Sequence, residues 1–73
     1  MTTVSDEQAG IAALARNIAR ESGELAGGAQ DARDAAEVGR IMQAVGALAA
    51  QRERAASILA QIDAAMALHV VRL

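Results

Sequence analysis

Few residues in this chain are equipped for chemistry. His69 is its only histidine, and the 73 residues contain no cysteine and no aromatic side chain. A zinc or di-iron centre needs several converging donors, and the nearest acid before His69, Asp63, lies nearly two helical turns away. Glu21 and Glu24 stand at helical spacing, but no Glu-x-x-His motif completes them. Ser5, Ser22 and Ser57 read as a helix cap, a loop neighbour and a surface residue, and no nucleophile–base constellation is formed. Gly27 and Gly28 lack the Lys and Ser/Thr that follow in a phosphate loop. The expectation is a non-enzymatic protein with no cofactor and no metal. His69 itself is better explained as a helix-terminal residue favoured by the dipole than as a pH-sensitive contact or a ligand.

The seven arginines are the only Lys/Arg residues, against nine acids, and the net charge is −2. They are interspersed with carboxylates, so no basic stripe runs along the chain. Stacking on bases is excluded by the absence of aromatics. One arrangement keeps a second reading in play. A hairpin that brings residues 11–20 near residues 42–54 gathers Arg16, Arg20, Arg52 and Arg54, as a small nucleic-acid-associated regulator of plasmid or phage type would. Glu53 and the net charge oppose it.

The clearest pattern is a heptad seam. Counting in sevens, one row runs Val38, Val45, Arg52, Leu59, Met66 and Leu73, and the interleaved row runs Ile41, Leu48, Ala55, Ile62 and His69. On a helix these two rows make one stripe. Arg52 interrupts it at a core position. Its aliphatic stem can cover apolar surface while the head reaches water, or it can fix register between helices. Leu68 and Val71 add apolar surface off the seam near the C-terminus.

Alanine, the best helix former, supplies twenty residues, and proline is absent. The fold class is therefore all-α. Ser5 with Gln8 reads as a capping box, with Asp6 and Glu7 in the first turn. The spacing predicts a first helix over about 5–26, carrying Ile11, Leu14, Ile18 and Leu25. Gly27 and Gly28 then read as the breaker, with a loop over about 27–31 and Asp31 as the next cap. A second helix is predicted over about 32–71, with Gly39 and Gly46 as a small-residue row facing helix 1. A kink at Gly46 and a break at residues 51–54 are the alternatives. Residues 1–73 thus form one helical-hairpin domain, a short first arm against a long second one. Folding about residue 29 sets Leu25 near Val38, Ile18 near Ile41, and Leu14 near Leu48, after which the first helix runs out.

A surplus stripe follows: Arg52, Leu59, Ile62, Met66, His69, Val70 and Leu73 are expected to form a dimer or partner interface. The simplest closure is an antiparallel homodimer, a four-helix bundle. Alanine and arginine without lysine also carry the stamp of GC-rich bacterial coding. The N-terminal residues make no signal peptide, and no apolar run approaches the ~18 residues of a membrane span. A cytoplasmic protein is expected. Size and architecture resemble small helical co-chaperones of bacterial secretion systems and small plasmid bundle proteins, with no shared motif, and such a likeness does not carry function. The function expected is that of an adaptor, regulator or co-chaperone acting through an apolar helical surface.

Overall fold

The computed structural model describes residues 5–70, with the backbone alone at Val70. It holds two helices packed as an antiparallel hairpin, α1 (Asp6–Glu37) and α2 (Ile41–Val70). The start of α1 follows from its sequence. Ser5 is extended (φ −66°, ψ 155°) and its hydroxyl accepts from the Gln8 N–H at 3.0 Å. Asp6 and Glu7 place negative charge at the positive end of the helix dipole.

The position of the turn corrects the sequence reading. Helix 1 is not short: α1 continues through Gly27 and Gly28 and stops at Val38, and the predicted loop over 27–31 is helical. Two glycines lower helix propensity by about 1 kcal/mol each but leave every backbone hydrogen bond possible, so neighbouring good helix formers carry the helix past them. The stop is made at Gly39, whose φ of +81° is the only positive value among the described residues. The N–H of Gly39 donates to Ala36 O at 3.0 Å and that of Arg40 to Ala35 O at 2.8 Å. This pair of bonds is a Schellman closure, which requires a left-handed residue. Arg40 O accepts the first α2 bond, from Ala44 N at 3.0 Å. Asp31, read as the cap of helix 2, lies inside α1.

With 32 residues in α1 and 30 in α2, the arms are nearly equal. The second helix is continuous through Gly46 and through residues 51–54. Moving the turn also moves the register. Glu7 faces His69, Gly10 faces Leu68, Asn17 faces Gln61, Glu21 faces Ser57 and Glu24 faces Arg54. The expected Leu25–Val38 and Leu14–Leu48 neighbourhoods do not form. Gly39 lies in the turn, and Gly46 is exposed with no atom within 4 Å of where a Cβ would stand, so neither contacts α1 as a packing row.

The hairpin is a slab 58 × 23 × 11 Å, one helix thick. Its radius of gyration is 16.8 Å, against ~11 Å for a compact domain of this length. Such a shape has no interior. Ala32, Ala35 and Ala44, near the turn, are the only buried residues among those described, and no large side chain is fully buried.

Candidate functional site

Two faces of α2 must be distinguished. The face toward α1 is made of Ala44, Ala47, Gln51, Arg54, Ile58, Gln61 and Ala65, all buried or half-buried. Against it α1 sets Ile11, Leu14, Ile18 and Leu25, half-buried, together with Asn17 and Glu21. The joint is largely polar at its middle. Gln61 accepts from Asn17 Nδ2 through its carbonyl and donates through its amide to Glu21. Ser57 Oγ donates to Glu21 Oε2 at 3.2 Å. Further along, Glu24 receives Arg20 at 3.1 Å and Arg54 at 3.9 Å, while Arg54 also donates to Gln51 Oε1 at 2.7 Å. The Gln51 amide lies against Gly28, in space a side chain there would occupy.

The heptad seam is the other face, and it is bare. On α2, Ile41, Val45, Leu48, Leu59, Ile62 and Met66 are all exposed, from 39% at Ile62 to 61% at Met66; Val38, read as the first residue of the row, instead caps α1 and is exposed beside the turn. The sequence placed the uncovered surface from Arg52 onward, where helix 1 was expected to run out. In the structure α1 matches α2 along its whole length, and the uncovered surface is lateral, running from the turn nearly to the open end. The physical reason is the spacing. The seam rows and the row that meets α1 lie on adjacent sides of one helix, so one neighbour cannot cover both.

Of the expected interface residues, Leu59, Ile62 and Met66 lie in this stripe with Arg52 at its centre. Arg52 is exposed and makes no hydrogen bond or ion pair among the described residues. His69 turns toward α1, its Nδ1 lying 3.0 Å from Glu7 Oε1 at the open end. The Val70 side chain and Leu73 lie outside the described residues. Among the arginines, Arg20 and Arg54 converge on the same carboxylate, Glu24, whereas Arg16 and Arg52 stand outside that cluster. Among the described residues no group of three His, Cys, Asp or Glu side chains converges as a metal would require. A shallow open hollow beside the turn, lined by Asp31, Asp34, Arg40 and Gln43, contains no buried polar group.

Sequence reasoning passed over Gln51, Ser57 and Gln61, which join the two helices. A signal was present: Ala44, Ala47, Gln51, Arg54, Ile58, Gln61, Ala65 and Leu68 recur at alternating spacings of three and four, a second stripe beside the seam. No described helix is long and apolar enough to cross a membrane. No family model, no curated protein and no solved structure matches this chain.

Proposed function

We propose that this chain is a non-enzymatic protein–protein interaction module, an adaptor, regulator or co-chaperone, and that the bare seam of α2 is the face through which it binds. One observation carries the reading. Six large apolar side chains stand exposed along one face of α2, while the face of α2 that meets α1 is built mainly from alanines and glutamines, with Arg54 and a single large apolar residue, Ile58. Contiguous apolar surface of this extent on a small chain marks an association site. A heptad repeat fits another helix, knob into hole. The cytoplasm is the setting we favour; no described helix is long and apolar enough to cross a membrane.

Single cysteines test this cleanly, because the native chain has none. Leu59→Cys reports on the seam and Ala26→Cys on the exposed outer side of α1. In the native cell, maleimide should label the first several-fold more slowly than the second. Equal labelling rates would show the seam standing uncovered, and the reading would fall.

A further inference from the structure

The order of residues along the seam specifies what fills it. We infer that the occupant is a second copy of this chain, its α2 lying antiparallel on this one with a two-fold axis between Arg52 and Ala55. This rests on the seam being the association face.

Three observations lead there. The first is complementarity under reversal. Turned end for end about the midpoint of Arg52 and Ala55, the seam sets Leu48 against the partner's Leu59, Val45 against the partner's Ile62, and Ile41 against the partner's Met66. Every large apolar residue of the two seam rows between Ile41 and Met66 meets another. Arg52, the one charged residue there, meets the partner's Ala55, the smallest, over which its stem can lie while the guanidinium reaches solvent. A parallel pairing would instead set Arg52 against the partner's Arg52, two like charges at a core layer.

The second is extent. The exposed seam side chains of two copies amount to on the order of 1,000 Å² of surface, the range in which specific interfaces begin. The third is length and access. The seam spans nearly all of α2, so its complement must be a helix of about the same length, and α2 is such a helix. Beside the axis, Ala49 and Ala56 flank the seam, so nothing bulky holds two helices apart there.

The test has two arms, both using the full chain. Light scattering on the unmodified protein at micromolar concentration should give twice the 7.5 kDa chain mass. Leu48→Cys and Leu59→Cys proteins, distinguished by a tag and mixed under mild oxidation, should form the mixed disulfide in preference to either homodisulfide. Circular dichroism at the cross-linking concentration confirms that each variant is helical, and if either is not, the mass of the unmodified chain decides whether a second copy binds. Homodisulfides without the mixed product would mean parallel pairing and overturn the proposal. A monomeric mass would also overturn it. If Leu59→Cys is nevertheless protected in cells, the association face stands with a different helix on it. If Leu59→Cys labels there as fast as Ala26→Cys, both readings fail together.

Discussion

The side-chain amide of Gln51 rests on Gly28, filling the space that a methyl group at position 28 would take. The contact explains why an apparent helix breaker sits in the middle of a 32-residue helix. A glycine there lets an amide from the other arm approach the α1 backbone.

Gly28 and Gly27 should therefore respond differently to alanine. Nothing lies within 4 Å of where a Cβ on Gly27 would stand, so Gly27→Ala should gain about 0.5–1 kcal/mol from helix propensity alone. Gly28→Ala must displace Gln51 from Arg54 and from Ala47 O, and should gain less or lose stability. Adding Gln51→Ala to Gly28→Ala should restore part of the difference. Urea unfolding of the unmodified chain, Gly28→Ala, Gln51→Ala and the double variant measures the coupling, which vanishes if Gln51 does not touch this site.

Gly39 is the residue on which the hairpin turns. Gly39→Ala forces a Cβ into a left-handed conformation and should cost about 1–2 kcal/mol. Gly46→Leu, on an open face of α2, should be neutral or slightly stabilising. Thermal unfolding compares the two, and a large loss at Gly46 would mean that its side of α2 is packed.

Much of the architecture was readable before the structure. The all-α class, the Ser5 cap and the heptad seam came from local chemistry and periodicity, which a single helix displays in full. The turn was not, because two adjacent glycines are a louder signal than the lone Gly39 that the chain uses. What decided between them was tertiary: which register lets Glu21 and Glu24 meet Ser57 and Arg54. The candidate face was identified by its residues but misplaced in its relation to α1, since that relation depends on the turn.

The polar joint yields a prediction of its own. Gln61→Ala removes partners from both Asn17 and Glu21 and should cost about 1–2 kcal/mol. Replacing Asn17 and Gln61 together with leucine should be close to neutral or stabilising, because the pair is removed whole, Glu21 keeps Ser57 and Arg20 keeps Glu24. Equilibrium unfolding of the single and double variants checks this, and additive losses would contradict it.

Leu48→Asp should place a carboxylate in the middle of the seam and abolish association, while Ala26→Asp, on the outer side of α1, should leave it intact. Sedimentation of the two variants at equal concentration separates them, and identical behaviour would remove the seam from the interface.

The central claim is that a slab with three buried alanines does not close its own apolar surface and is completed by association. The most direct measurement is the melting temperature of the unmodified chain over a hundredfold range of concentration, followed by circular dichroism. Association predicts a melting temperature that rises with concentration. A cooperative, fully helical transition at one fixed temperature, at monomer mass throughout, would contradict it.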